Sequence, residues 1–221
     1  VVPAGGMQRL PELLAQPLEE RISFNVTVTD VGPDGVTIEG GTRIEADDVI
    51  VAVDGSAAAR LLGTEAPALK ATVTAYFAAP DAPTPEPLLV LDGEGTGPAN
   101  HVAVMSNVSS DYAPDGMHLV GVSGVDDAAA DADAFAEAVP AQMRRWFGGS
   151  VDRWTLLRSY RIPHALPKHP AGSLATERSA RREDGLIIAG DYAEFGSIQG
   201  ALLSGRRAAE AVTERVGAGV R

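Results

Sequence analysis

The sequence predicts an α+β protein with an α/β portion, and three observations predict it. Strand-like runs dominate the middle of the chain. Helical stretches flank them. Near its two ends the chain carries short continuous apolar runs, Asp48 to Val53 and Leu186 to Ala189, the second leading through a glycine turn into a helix. Strands that are apolar throughout, rather than alternating, are those covered on both faces. The middle therefore reads as a mixed β-sheet domain and the two ends as an α/β piece.

The elements follow in order. Met7 to Leu18 reads as a short helix with Leu10, Leu13, Leu14 and Leu18 on one side, entered by the turn Pro3-Ala-Gly-Gly6. Ile22 to Val31 alternates and is rich in β-branched residues, so it reads as a strand. Gly32-Pro-Asp-Gly35 is a turn into Val36-Thr-Ile38, and Gly40-Gly41 turns again into Thr42-Arg-Ile44. Asp48 to Val53 reads as a strand buried on both faces, after which Ser56 caps a helix over Ala57 to Leu62. Val73 to Ala79, Pro87 to Leu91, His101 to Ser106, His118 to Ser123 and Trp154 to Tyr160 read as strands. Ala128 to Phe147 reads as a helix ended by Gly148-Gly149, with Pro140 expected to kink or split it. The acidic run Asp126 to Asp133 suits a helix start, where carboxylates meet the dipole favourably. Pro163 to Gly172 reads as irregular. Leu186 to Ala189 is the last strand and Ile198 to Val216 the last helix. No repeat is present.

Composition excludes several classes of function. The net charge of −12 leaves no basic stripe for nucleic acid. No Lys/Arg cluster suits an anionic membrane, and no apolar run reaches the roughly 18 residues of a bilayer span. There is no cysteine. Disulfides, thiolate metal sites and a cysteine nucleophile are therefore excluded. With no signal peptide in the sequence the expected location is cytoplasmic, and the sequons at Asn25 and Asn107 read as chance. The first residue is Val1 rather than Met, so the expectation is a chain that has been processed or excised. The four histidines show no metal-ligand spacing.

Glycine patterns carry the rest. Asp92-Gly-Glu-Gly-Thr-Gly97 is the nearest approach to a phosphate-binding fingerprint, but a strand rather than a helix follows it, so it reads as a hairpin loop. Gly190-Asp191 has a different context. It ends a buried strand, and Gly190 lets backbone approach a ligand closely. The Asp191 carboxylate can accept hydrogen bonds from hydroxyls. Ser197, Ile198 and Gln199 open a helix whose free N–H groups and dipole favour negative charge. Gly200, Ala201, Ser204, Gly205, Ala208 and Ala209 give that helix a small-residue stripe. A tightly packed helix with Asp191 as a plain turn residue is the alternative reading of the same spacing.

Positions 186–209 resemble the terminal signature of the FAD-dependent amine oxidase and phytoene desaturase superfamily: an apolar strand, Ala-Gly-Asp, a short loop, Gly-Ala, then Ser-Gly-x-x-Ala-Ala. Pro3-Ala-Gly-Gly-Met7, Ile22-Ser-Phe-Asn25 and Val28 resemble that superfamily's Gly-Gly-Met segment and following strand. The resemblance implies non-covalent FAD as cofactor. It gives Gly190, Asp191, Ser197, Ile198, Gln199 and Ala201 to the ribityl and isoalloxazine end, and the Val28 backbone to the adenine edge. Tyr160, His164 and Tyr192 would flank the substrate. It implies no particular catalytic residue. In monoamine oxidases the position of Ser197 carries a tyrosine of an aromatic cage; serine argues against that kind of amine and sits closer to the desaturase pattern.

The implied organisation is a partial FAD-binding segment over 1–65, a substrate-binding-like domain over 66–165, and the strand and helix of a Rossmann-like FAD domain over 166–221. The glycine-rich dinucleotide fingerprint itself is not in the sequence. The expected function is therefore the C-terminal portion of a flavoenzyme. It would move a hydride from a C–N or C–C bond to flavin, with a small-molecule substrate and the missing FAD-binding segment as partners. This chain alone would hold FAD poorly and be inactive. The alternative is a non-catalytic scaffold module, or a split subunit completed by another chain.

Overall fold

The computed structural model describes residues 2–172 and 179–218. The chain forms two compact units. The first comprises residues 1–22 and 70–165, the second residues 23–69 and 166–221.

The first unit is built on a five-stranded sheet. Its strands are β5 (Leu69–Ala79), β6 (Leu89–Leu91), β7 (His101–Val104), β8 (His118–Val125) and β9 (Thr155–Pro167), in the spatial order β6-β7-β8-β5-β9. Strict alternation along β5 sends Val73, Ala75, Phe77 and Ala79 to one face, where all are buried. Antiparallel register lines them up with β8, Ala75 opposite Val122 and Phe77 opposite Val120. The helix α4 (Ala132–Phe147) covers this face with Phe135, Ala136, Val139 and Met143, a spacing that keeps one stripe of the helix on the sheet. Asp131 caps α4 by accepting from the Asp133 and Ala134 N–H groups. Pro140 neither splits nor ends the helix. It removes one donor, and packing of the stripe on either side outweighs that loss.

One polar side chain sits in this core. Gln142 is 1% exposed. Its Oε1 accepts from the Ala99 N–H, and its Nε2 donates to the Ala99 carbonyl and to Asp92 Oδ2. It pins the β6–β7 connection to α4, and Gly97 is required there because a Cβ would lie 2.2 Å from Gln142 Oε1. The Asp92–Gly97 turn is thus a hairpin loop, as its sequence context indicates.

The opposite face of the sheet is more open. Thr74 and Ser123, paired across β5 and β8, share a hydrogen bond at 2.8 Å, and His101 lies beside Ser123 on β7. Burial pushes the His101 imidazole below its ordinary value of 6.5. A base depressed in the folded state binds fewer protons there than when unfolded. Stability is therefore flat above the ordinary imidazole value and falls as the pH drops below it. The urea midpoint should drop between about pH 7.5 and pH 5, and His101→Gln should flatten that drop. An identical acid response in the variant would assign the loss to other groups.

Also in this unit, α1 (Arg9–Ala15) and the 3-10 turn after it leave Leu13, Leu14 and Leu18 exposed and bury no residue. The expected apolar side of this helix is not a core face. β9 runs through to Pro167, so the segment from Pro163 read as irregular is strand as far as Pro167. His101 to Ser106 is strand only to Val104, beyond which Met105–Val108 make one helical turn, α3.

The second unit holds a three-stranded antiparallel meander, β1 (Val28–Gly32), β2 (Gly35–Ile38) and β3 (Arg43–Glu45). It also holds a short parallel pair, β4 (Ile50–Val51) beside β10 (Ile187–Ile188). β10 is covered on both faces. Leu186 and Ile188 turn to α2 (Gly55–Leu62), while Ile187 and Ala189 turn to Ala208 of α5 (Ile198–Ala218). In the run Asp48 to Val53 around β4, Val49 and Val51 are buried while Ile50 and Val53 are exposed, so the expectation of burial on both faces fails there. The cap of α2 is Asp54 rather than Ser56. Its carboxylate accepts from the Ser56 and Ala57 N–H groups, which extends the helix back to Gly55.

Candidate flavin-binding turn

The chemistry-bearing residues of the second unit gather where β10 passes into α5. Gly190 ends the strand and donates its N–H to Ser204 Oγ at 2.8 Å; Ser204 in turn donates to the Ala201 carbonyl. Ser204 is buried and ties the turn to the helix two turns in. A Cβ on Gly190 would lie 2.3 Å from Tyr192 Cε1. The space glycine leaves is therefore filled by the Tyr192 ring, which also packs over Gly55.

Asp191 opens a 3-10 turn over Asp191–Ala193. Its carboxylate makes no hydrogen bond or ion pair with any described residue. The Tyr192 hydroxyl is buried and has no hydrogen-bond partner among the described residues. Burial raises its pKa first, the Asp54 and Asp191 carboxylates raise it further, and Arg182 acts in the opposite sense. A buried, unsatisfied hydroxyl beside an unpaired carboxylate is costly unless a further polar group meets it. Next to them is a cleft of about 260 Å³ lined in part by Arg182, Ile188, Tyr192, Glu194, Ser204 and Arg207. Both arginines are engaged, Arg182 with Asp184 and Arg207 with Glu194 at 2.6 Å.

The first turn of α5 settles some of its own donors. Ser197 Oγ accepts from the Gly200 N–H at 2.9 Å, and the Ser197 carbonyl accepts from the Ala201 N–H. The Gly196 N–H donates to His169 Nε2 at 3.0 Å. The Ile198 and Gln199 N–H groups find no acceptor among the described residues and stay available at the positive end of the helix. Gly200 is buried, and a Cβ there would sit 1.9 Å from the Phe195 carbonyl oxygen. Only glycine lets the helix start this close to the preceding loop.

Of the residues singled out from sequence, Gly190, Asp191, Tyr192, Ser197, Ile198, Gln199 and Ala201 come together here. Ala201 contributes no free backbone donor. Val28 lies in the same unit, on the edge strand of the meander. Tyr160 and His164 belong to β9 in the other unit. Both are exposed, and Tyr160 packs edge-on against Tyr76 with ring centroids 6.1 Å apart. Two residues that hold this turn, His169 and Ser204, were not among the site residues singled out from sequence. Ser204 was legible in the small-residue stripe; His169, among prolines, carried no periodic signal.

Among the described residues no cluster of His, Cys, Asp or Glu is arranged to hold a metal ion. No described helix is long and apolar enough to cross a membrane.

This strand, glycine–aspartate turn and small-residue helix are accompanied by a sequence match to the family of flavin containing amine oxidoreductases over residues 1–213. The chain belongs to that family. No curated protein matches it in sequence. Among solved structures it is similar to an oxidoreductase from Methanosarcina mazei. That match has a TM-score of 0.71 at 18% identity, over 95% of this chain and 54% of that one. It is similar to a putrescine oxidase triple mutant redesigned in cofactor binding, with a TM-score of 0.68 at 18% identity over 95% and 53% of the two chains. It is also similar to a reduced UDP-galactopyranose mutase, with a TM-score of 0.59 at 15% identity over 80% and 44%. At these identities the likeness is one of fold. The chain spans about half the length of the solved structures it matches.

Proposed function

We propose that this chain supplies the flavin-ring half of the cofactor site, together with a substrate domain, to an FAD-dependent oxidoreductase of the amine oxidase and phytoene desaturase type. The observation that carries the reading is an Asp191 carboxylate with no hydrogen bond or ion pair to any described residue, followed on the same β10–α5 connection by the open Ile198 and Gln199 N–H groups, at the place of the family signature. Asp191 accepts from ribityl hydroxyls. The Tyr192 hydroxyl gains the polar partner it otherwise lacks. The α5 N–H groups stabilise negative charge at the edge of the ring. The sequence carries no glycine-rich turn for a pyrophosphate, so these residues fit the riboflavin portion of FAD and not its ADP portion. When bound, flavin supplies a hydride acceptor for a C–N or C–C bond. The protein's part is to orient it and to keep its edge electrostatically favourable. The open face of the first unit's sheet, with Tyr76, Tyr160 and the Thr74–Ser123 pair, is the substrate surface in this reading, and no general base is assigned.

The test is a titration of the 221-residue chain with riboflavin and with FAD. Holding only the ring and ribityl end predicts weak binding of both, with Kd of about 0.1–1 mM and the two values within about threefold. Asp191→Ala should weaken both by at least about tenfold, the loss expected for a hydrogen bond to a charged acceptor. Stoichiometric FAD in the purified chain would overturn the half-site reading. No affinity for either flavin would favour the scaffold alternative.

A further inference from the structure

We propose that His169 is a positioning residue for the start of α5: its neutral imidazole holds the Gly196 N–H, and protonation of the ring releases the turn that presents the Ile198 and Gln199 N–H groups. The consequence for ligand binding rests on the flavin reading above; the clamp itself does not. His169 Nε2 accepts from Gly196 at 3.0 Å, and a ring nitrogen that accepts is unprotonated. The acceptor is fixed from behind, because the Lys168 N–H donates to the Ala68 carbonyl at 2.7 Å. Gly196 is equally confined. A Cβ there would fall 2.9 Å from Pro167 Cδ and 3.4 Å from Leu166 Cδ2, so the glycine is seated against the 166–169 segment with no room for a side chain. Ser197, the residue that caps α5, follows directly.

Protonation changes three things in one direction. The acceptor is lost, two donors then face each other at hydrogen-bond distance, and a positive charge arrives at the positive end of the α5 dipole. The charged and titratable neighbours along the chain are Lys168 beside the imidazole, and Asp191, Tyr192 and Glu194 ahead of Gly196, with Glu194 standing just past the 3-10 turn. Glu194 and Arg207 are already paired. Gly196 and Ser197 have no Cβ-borne charge with which to compensate.

The experiment is amide hydrogen exchange of the 194–201 segment in the 221-residue chain, with the α4 segment 135–143 as internal reference. It is run at about pH 8 and about pH 5.5, the span in which histidine side chains change charge, and corrected for intrinsic rates. Wild type should lose about tenfold in protection at the lower pH, the change expected for one lost hydrogen bond. His169→Gln keeps an acceptor that does not titrate and should stay protected at both values. His169→Leu should be unprotected at both, and His164→Gln should behave as wild type. Protection independent of pH in wild type, or wild-type protection in His169→Leu at pH 8, would overturn the clamp. If His169→Leu fails to fold, the contrast between wild type and His169→Gln decides alone. Riboflavin titration separates the two readings. No binding at any pH removes the flavin reading and leaves the exchange result standing. Binding that ignores pH while the amides respond keeps the flavin reading and removes control of it by His169.

Discussion

Gly200→Ala is expected to destabilise the protein by about 3 kcal/mol, at the upper end of the cost of overpacking. The sign is the informative part. Gly200 lies in the first turn of a helix, and replacing a helical glycine by alanine ordinarily stabilises by up to about 1 kcal/mol. Here the added methyl would sit 1.9 Å from the Phe195 carbonyl oxygen and 3.0 Å from its carbon. Those are backbone atoms and cannot rotate away. Relief requires moving the Phe195–Ile198 turn, which also breaks the Gly196–His169 bond and the Ser197 cap. Gly205 on the same helix is the control, since no atom of the described residues lies within 4 Å of its would-be Cβ. Gly205→Ala should gain stability where Gly200→Ala loses it. Urea midpoints with unchanged slope measure both. A Gly200→Ala chain as stable as wild type would show that the helix start is not held by this contact.

The same residues show what the sequence could and could not disclose. The terminal strand, turn and helix were legible because Leu186 to Ala189 are apolar without interruption and Gly200, Ser204 and Ala208 recur at helical spacing. The reasons for the glycines were not legible. Gly190 answers to the Tyr192 ring and Gly200 to a carbonyl, and neither neighbour leaves a periodic trace. α1 was legible as a helix from Leu10, Leu13, Leu14 and Leu18 on one side, but the exposure of Leu13, Leu14 and Leu18 was not. Periodicity reports which residues share a side of a helix, not whether anything covers it. Pro140 was expected to kink or split α4; the helix is not split, because packing of Phe135, Val139 and Met143 outweighs a single missing donor. β9 outran its expected end because Pro163 and Pro167 lie on an edge strand, where a missing N–H costs little. His169 lay beyond sequence reasoning altogether, since its role is set by a backbone amide 27 residues away.

Arg181→Met should destabilise by about 2–3 kcal/mol, below the full cost of breaking a buried pair because Arg181 is partly exposed. One guanidinium joins three segments remote in sequence. It donates to Asp48 Oδ1 ahead of β4 at 2.9 Å, to the Gly185 carbonyl ahead of β10 at 3.0 Å, and to the Ala211 carbonyl on α5 at 3.0 Å. The Asp48 side chain is only 9% exposed against 29% for Arg181, so the carboxylate bears most of the penalty when the cation is withdrawn. Methionine keeps the aliphatic volume and the backbone bridge between Arg181 and Ile187. The loss therefore reports the charge and its hydrogen bonds rather than packing. Adding Asp48→Asn to Arg181→Met should recover part of the stability, since the carboxylate that faced the withdrawn cation is then neutral. A double-mutant cycle isolates that coupling. The neighbouring Arg182–Asp184 pair is solvent-exposed, and Arg182→Met should leave the midpoint unchanged. Equal effects at 181 and 182 would mean that burial does not set the strength of these pairs, and that the two ends of the chain are held by β10 and its covering helices alone.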